Sequence, residues 1–318
     1  MPVSVARIRS ETALPLTVAL LAGLFVWNYY ARYAPGLWSD FDQIWLGARA
    51  VLAGRDPYLE VPARGFPWPL YYPVPALILG MPFAPLPLMA ARIAFAAVTA
   101  FAFTAALVRR RPQALPLLFS GPFIYAIQRG QWGPLLVAGA LIPALGGVIA
   151  AKPSIGLATL AYRPHRAAIA GAAALTVLSL LLLPSWPWTW RDILPSAQHL
   201  VAPVMLPGGV ILLLALLRWR QPEARLLAVL ACVPQTSSVY ELLPLSLVPR
   251  TRREAFILAN LWNVVYLART VLRSSGPPTF AQLPEHRNPW LWAFVLAVGY
   301  VPVLVMVLRH RDDEMGSP

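Results

Sequence analysis

Long apolar segments alternate with clusters of arginine along most of this chain, and this pattern predicts a bundle of membrane-spanning helices. A helix needs about 20 mostly apolar residues to cross the hydrocarbon of a bilayer, and Leu14–Tyr33, Leu88–Val108 and Trp290–Leu308 meet this requirement. Hydrophobic residues make up 58% of the sequence and charged residues 12%, proportions typical of polytopic membrane proteins. We therefore predict an all-α fold in which residues 1–318 form a single integral membrane domain.

The arginine clusters predict the orientation, because loops rich in basic residues stay on the cytoplasmic side of a membrane. They lie near residues 7–9, 109–111, 163–166, 218–225, 250–253 and 309–311. If all of them face the cytoplasm, both termini are cytoplasmic. The formal net charge of +13 then reflects loop anchors, so we expect membrane lipids as neighbours and no nucleic-acid partner.

Shorter apolar segments raise the predicted number of crossings to roughly nine to eleven. Crossings are predicted over Leu115–Ile127, Ala167–Leu183, Val204–Leu217 and Ile257–Leu272. The segment Gly133–Tyr162 fits either one span with a short extension or three short pieces. The segment Leu226–Val248 begins and ends beside arginines and has a polar centre, which predicts a re-entrant turn lining a cavity. An outer loop is predicted over Ser274–Pro289.

Residues 34–87 form a long outer loop in this topology, and its sequence is unusual for a loop. Apolar residues recur at helical spacing over Gln43–Ala53, which predicts a short helix lying in the membrane interface. The stretch Tyr72–Pro85 is apolar but is interrupted by prolines. Since it is too short and too broken for a span, we predict a second interfacial or half-inserted helix there.

Two carboxylates, Asp40 and Asp42, precede the first of these helices. Placing a carboxylate near a bilayer costs free energy, so a carboxylate found there is expected to have a function. One of them could act as a general base, or the two together could hold a divalent metal through oxygen ligands. Asp42 could equally well be a solvated cap on the helix that starts near Gln43, because acidic side chains favour a helix N-terminus.

Further polar residues lie among apolar segments. Lys152 is the one lysine among the chain's 26 basic residues. Its ammonium could bind a phosphate group, or its side chain could snorkel from a helix end towards water. Arg129 and Gln131 belong to a polar turn on the outer side, where the guanidinium could neutralise a phosphate or contact lipid headgroups. Tyr240 and Glu241 lie in the predicted re-entrant turn, where a glutamate is expected to line a wet cavity or meet a basic residue.

Other chemistry-bearing patterns are weak or missing from the sequence. The tryptophan-rich Ser185–Asp192 is typical of an aromatic belt at the membrane interface. The sequence has no zinc-ligand spacing, no phosphate-cradling glycine loop and no G-x-S-x-G nucleophile motif. Catalysis by metal-bound histidine clusters is therefore not expected.

Several motifs, in order, resemble glycosyltransferase family 87 of the GT-C superfamily. The first is D-F-x₆-A-R-A-x-L-A-G-x-D-P-Y over Asp40–Tyr58, and the second is Y-Y-P-x-P-A over Tyr71–Ala76. These blocks are followed by P-F-A-P-L-P and A-A-R, then by G-Q at Gly130–Gln131 and A-K-P-S at Ala151–Ser154. The resemblance covers about residues 15 to 250, and its Asp40–Tyr58 block is the most specific part.

The resemblance implies a polytopic enzyme of the bacterial cell membrane, similar to mannosyltransferases that use a polyprenyl-phosphate sugar on the outer face. The donor would pass a mannose-like sugar to a lipid or glycan acceptor without a cofactor. Asp40 would be the catalytic residue. Other residues would contact the substrate. They are Lys152, Arg129, Gln131, Tyr240 and Glu241, together with Arg49 and Tyr72 from the matching blocks. Asp42 is not part of the family pattern, so a metal site shared with Asp40 is a minor alternative.

Two features depart from the family pattern. Many members carry a histidine pair in the late re-entrant turn, where this chain has Tyr240–Glu241. The loop between the G-Q and K-P motifs is also nearly absent. A different class of function, a transporter or flippase for a lipid-linked intermediate, would explain the midplane polar turns, but it does not explain a carboxylate in the outer loop.

Overall fold

The computed structural model describes residues 5–197, 200–236, 239–272 and 289–310, and these residues are helical almost throughout. Among them, strand-like pairing is limited to one antiparallel bridge between Val201 and Gln235. This confirms the predicted all-α class. The α-helices are α1 (Val5–Asn28), α2 (Asp40–Leu52), α3 (Pro57–Ala63), α4 (Val74–Gly80), α5 (Leu88–Arg110), α6 (Gly121–Arg129), α7 (Gly133–Leu141), α8 (Pro153–Tyr162), α9 (Arg166–Leu182), α10 (Trp186–Ile193), α11 (Pro222–Cys232), α12 (Arg252–Leu272), α13 (Pro289–Phe294) and α14 (Val301–Arg309).

Three helical stretches in the described residues are long and apolar enough to cross a membrane: Glu11–Tyr33, Leu88–Arg110 and Trp290–Arg309. They coincide with the three longest predicted spans and support a membrane location. A fourth is counted if α9 and the helical stretch from Trp186 to Ser196, which meet at a bend of 100°, form one broken span.

The predicted nine to eleven crossings are not confirmed, because several predicted spans are broken into short pieces. A 3₁₀-helix over Pro112–Phe119 and α6 replace the span predicted over Leu115–Ile127, with a break at Ser120. Pro116 and Pro122 lack the backbone N–H that a continuous α-helix requires. Most of the span predicted over Val204–Leu217 is likewise a 3₁₀-helix, which covers Gly209–Arg218.

Two other segments are broken in the structure, the first according to one of the two alternatives that the sequence left open and the second at its predicted polar centre. The segment Gly133–Tyr162 forms three short pieces, which are α7, a 3₁₀-helix over Pro143–Ala151, and α8. The predicted polar break in Leu226–Val248 falls between α11 and a 3₁₀-helix over Val239–Leu247. The predicted outer loop at Ser274–Pro289 falls almost entirely on residues outside the described ranges, as do the first four residues and the last eight.

The long first loop contains three short helices, α2, α3 and α4. Helices α2 and α4 lie where the sequence predicts two short helices, whereas α3 is an additional helix. Helix α2 begins at Asp40 instead of near Gln43, because Ser39 caps it and Asp42 completes a capping box. The Asp42 side chain accepts hydrogen bonds from Ser39 N at 2.7 Å and Ser39 Oγ at 2.6 Å.

Asp42 also ties α2 to α5 through an ion pair with Arg92. Arg92 Nε lies 2.8 Å from Asp42 Oδ1, and Arg92 Nη2 lies 2.5 Å from Asp42 Oδ2. The Asp42 side chain is fully buried and that of Arg92 is 10% exposed. The capping interpretation of Asp42 is therefore confirmed, but the prediction of a solvated cap is wrong, because Arg92 replaces the water.

The packing of α1 fixes which helix ends lie together. Gly23 near the end of α1 lies against Ile93 near the start of α5, and Arg92 stacks on the ring of Tyr30, just beyond α1. Because the two helices also pack extensively against each other, they run antiparallel. Tyr30 Oη, beyond the end of α1, donates to the carbonyl of Gln128 at 3.0 Å. At the opposite end, Arg111 donates to the carbonyl of Pro249 at 3.2 Å, just before α12 begins. The starts of α1 and α12 and the end of α5 therefore share one end of the molecule.

Candidate functional site

A cavity of about 280 Å³ brings together residues that are far apart in the sequence. Its walls come from the first loop, the turn after α6, the junction before α8, and the start of the 3₁₀-helix Val239–Leu247. Six of the eight residues that the sequence predicted to contact substrate or catalyse line this cavity. They are Asp40, Tyr72, Gln131, Lys152, Tyr240 and Glu241.

Asp40 is held in the cavity wall by two polar neighbours. Gln131 Nε2 donates a hydrogen bond to Asp40 Oδ2, and Arg129 Nη2 lies 3.7 Å from Asp40 Oδ1. The Asp40 side chain remains 22% exposed, so it reaches the cavity. A carboxylate that is oriented by fixed donors and still accessible is suited to accept a proton from a bound hydroxyl group.

Gly130 explains how Arg129 and Gln131 both reach Asp40. It ends α6 with a φ of +65°, in the left-handed region that favours glycine. A Cβ atom on Gly130 would lie 2.5 Å from the Cβ of Phe41, the residue after Asp40. The G-Q motif therefore depends on glycine for both its turn and its close approach to the start of α2.

Tyr72 extends this network from the first loop. Its hydroxyl donates to Gln131 Oε1 at 3.3 Å. Burial raises the pKa of the Tyr72 phenol, and the nearby Asp40 and Glu241 carboxylates raise it further. Tyr72 is therefore a neutral hydrogen-bond donor that holds Gln131, which in turn points its amide N–H at Asp40.

The opposite wall of the cavity carries a buried ion pair between Lys152 and Glu241. Lys152 Nζ lies 3.0 Å from Glu241 Oε1 and 4.9 Å from the centroid of the Tyr240 ring. Glu241 Oε2 accepts hydrogen bonds from Thr236 N at 2.5 Å and from Thr236 Oγ1 at 3.2 Å. The Lys152 side chain is only 17% exposed, so it lies against Glu241 and does not snorkel.

The cavity lining carries the Lys152 ammonium together with the Asp40 and Glu241 carboxylates. Lys152 has three N–H donors, and Glu241 takes one of them among the described residues. Two donors therefore remain for a ligand. The Asp40 carboxylate, with Arg129 beside it, lies in the same cavity. The site thus combines a proton acceptor with an ammonium that can bind an anion.

Two of the predicted substrate-binding residues do not line the cavity. Arg129 lies beside Asp40 but is not part of the lining. Arg49 lies nine residues after Asp40 on α2, about two and a half helical turns, and so occupies the opposite face. Its guanidinium donates to the carbonyl of Ala84 at 3.1 Å and stacks over Trp45. The structure therefore gives Arg49 a place in the packing of the first loop.

Asp42 does not share a site with Asp40 either. Two residues along a helix correspond to a turn of about 200°, so the two carboxylates point to different sides of α2. Both oxygens of Asp42 bind Arg92 and Ser39. The geometry does not bring the two carboxylates together as joint ligands of one ion.

Trp190 is a cavity residue that the sequence did not reveal. It belongs to the tryptophan-rich segment, whose composition predicts an aromatic belt at the membrane interface. In the structure α10 turns back from α9, and the Trp190 indole N–H donates to the carbonyl of Tyr71 at 2.9 Å. The tryptophan run itself gives no signal of this role, since belts and cavity walls use the same residue type.

An apolar groove of about 240 Å³ adjoins the cavity. The two share Pro73, Pro153 and Trp190. The rest of the groove is lined mainly by aliphatic side chains of α8 and its neighbours, such as Ile149 and Leu157. A ligand with a polar head in the cavity could therefore extend a hydrocarbon chain into this groove.

Comparisons of the chain with known protein families, with curated proteins and with solved structures find no match. The chemistry of the site therefore rests on its own residues. These are a carboxylate oriented by Gln131 and Arg129, an ammonium paired with Glu241, and an adjoining hydrocarbon groove.

Proposed function

We propose that this chain is a membrane glycosyltransferase of the GT-C type, similar to family 87. It moves a mannose-like sugar from a polyprenyl phosphate to a hydroxyl of a lipid or glycan acceptor on the outer face of the bacterial cell membrane. The observation that carries the proposal is the shared cavity, which places Asp40 and Lys152 in one space. Such a donor contains an activated leaving group, so no cofactor is required.

In the proposed reaction, the Asp40 carboxylate takes the proton of the acceptor hydroxyl. The hydroxyl oxygen then forms a bond to the anomeric carbon of the sugar. At the same time the bond from that carbon to the phosphate oxygen breaks, and polyprenyl phosphate leaves with the electron pair. A single displacement of this kind inverts the anomeric configuration, by analogy with inverting glycosidases.

Lys152 is the proposed partner of the departing phosphate. Negative charge builds up on the phosphate oxygens as the bond breaks, and fixed cations in a site with little water stabilise that charge. The Tyr240 ring and Glu241 hold the ammonium in place. Arg129, which does not line the cavity, acts in this proposal by fixing Asp40 and not by contacting phosphate.

The adjoining apolar groove supports a lipid-borne donor. An isoprenoid chain needs an apolar path that begins at the phosphate site, and the groove shares Pro153, next to Lys152, with the cavity. In this proposal helices α2, α3 and α4 lie in the outer interface, and both chain termini are cytoplasmic. A transporter or flippase does not explain a carboxylate in the predicted outer loop that is held by Gln131 and Arg129.

The test is release of polyprenyl phosphate. Purified protein in detergent is incubated with polyprenyl-phosphate mannose and a mixed lipid acceptor fraction, and free polyprenyl phosphate is measured. A transferase releases it in step with glycosylated acceptor. If donor crosses a vesicle bilayer intact while no phosphate product forms, the protein is a transporter and the proposed chemistry is wrong.

Replacing Lys152 by alanine is expected to weaken use of the donor. Removing a charged hydrogen bond to phosphate costs about 1.5–3 kcal/mol, so we expect the apparent KM for the donor to rise at least about tenfold. Lys152→Arg keeps the charge and is the matched control. Glu241 is left buried without its partner in Lys152→Ala, so a Lys152→Ala/Glu241→Gln double variant separates donor binding from stability. An unchanged KM in that double variant would contradict a role for Lys152 in donor binding.

A further inference from the structure

A second and larger groove, of about 900 Å³, is lined in part by exposed apolar side chains and shares no lining residue with the cavity. It is bounded by α1, the 3₁₀-helix Pro112–Phe119, α6 and α12. Its lining is almost entirely apolar and includes Leu14, Phe25, Phe123 and Phe256. Neither Asp40 nor Lys152 lines it, so the proposed transfer reaction makes no use of this groove.

The length of the groove matches one leaflet of a bilayer. On α1 the lining runs from Leu14 to Phe25, and on α12 it runs from Arg252 to Asn263. Each distance is eleven residues, which corresponds to about 17 Å of α-helix. One leaflet is about half of the roughly 30 Å hydrocarbon thickness. Since α1 and α12 start at the same end of the molecule, Leu14 and Arg252 lie at the same end of the groove.

That end also carries the exposed cation of the groove. Arg252 is exposed at the start of α12, and it makes no hydrogen bond or ion pair within the described ranges. The amides deeper in the groove are engaged. Asn263 accepts from Gly121 N at 2.6 Å and donates to the carbonyl of Phe119, and Asn260 donates to the carbonyl of Phe256. A ligand with one anionic end and a hydrocarbon body fits this distribution of charge.

We infer that this groove binds a glycerophospholipid with an anionic headgroup. Its phosphate contacts Arg252, and its acyl chains lie along α1 and α12. Charge complementarity and a depth of one leaflet both favour this occupant. The leaflet is the one on the side of the arginine clusters. A polyprenyl-phosphate donor is not the occupant, because its phosphate belongs at Lys152 in the other cavity.

The experiment measures lipid bound to the full chain purified in detergent micelles. Native mass spectrometry follows titration with phosphatidylglycerol and, separately, with phosphatidylcholine of the same acyl chains. One basic residue near a membrane surface contributes about fivefold in affinity for an anionic lipid. We therefore expect Arg252→Gln to lower phosphatidylglycerol occupancy about fivefold. Arg253→Gln, a neighbouring arginine outside the groove lining, is the matched control and is expected to bind like the unchanged protein.

A second variant tests the groove itself. Asn260→Trp adds bulk to an exposed position of the lining, and we expect it to reduce occupancy by both lipids. Equal binding of the two lipids by the unchanged protein, or equal losses in Arg252→Gln and Arg253→Gln, would show general lipid contact only and overturn the inference. Melting temperatures of all variants, measured in a detergent without added lipid, identify any variant that is misfolded.

Discussion

Asparagine in place of Asp40 is expected to lower the rate of sugar transfer by about a hundredfold or more, while the protein still folds and inserts. Removal of a general base costs typically 10²–10⁴-fold in rate. Asparagine has the same shape, and its amide oxygen still accepts the hydrogen bond from Gln131 that Asp40 accepts in the structure. The measurement is kcat for release of polyprenyl phosphate, with the melting temperature recorded for the same preparation.

The KM for the donor gives an independent check on the same variant. Asp40 acts on the acceptor hydroxyl in the proposed reaction, and Lys152 binds the phosphate on the other wall of the cavity. Asp40→Asn should therefore leave the donor KM close to its original value. A variant that keeps full kcat would eliminate the base and with it the proposed mechanism.

Asparagine in place of Asp42 is expected to have the opposite effect, a large loss of stability with little direct effect on chemistry. Asp42 pairs with Arg92 inside the protein and also caps α2 through Ser39. Breaking a buried ion pair by removing one partner costs about 3–5 kcal/mol, because the other charge stays buried without compensation. The measurement is the free energy of unfolding in mixed micelles, and we expect it to fall by about this amount.

The pair of variants forms an internal control, because the same chemical change is made two residues apart on one helix. Replacing both partners, in Asp42→Leu/Arg92→Leu, should recover part of the stability lost in Asp42→Asn, since no unpaired charge then remains buried. If Asp42→Asn unfolds at the same point as the unchanged protein but loses activity, then Asp42 belongs to the reaction and not to the framework.

Local sequence was sufficient to predict the long helices. The apolar runs at Leu14–Tyr33 and Leu88–Val108 are as long as a bilayer is thick, and both are helical. The structure of proline-containing runs was harder to predict, because at Pro116 and Pro122 a helix can either bend or end. Whether such a run continues as α-helix or tightens into 3₁₀ turns depends on packing against distant helices, which the pattern of residues does not encode.

The site was predictable residue by residue but not as a set of contacts. Asp40, Lys152 and Glu241 each stood out as a charge in an apolar context. The pairing of Lys152 with Glu241 joins residues 89 positions apart, and it follows from the packing of α8 against the 3₁₀-helix Val239–Leu247. Arg49 shows the opposite error. Its place in a motif suggested a role in binding, but the helical period turns it away from the cavity.

The cavity wall is formed by segments that are synthesised at very different times. Asp40 emerges early in synthesis, whereas Tyr240 and Glu241 belong to the last third of the chain. Under the proposed function, newly made protein is therefore inactive until most of it has been inserted into the bilayer, and it does not consume donor during synthesis. A product ended early by a premature stop codon ahead of Tyr240 keeps its carboxylate but lacks the wall that anchors the ammonium.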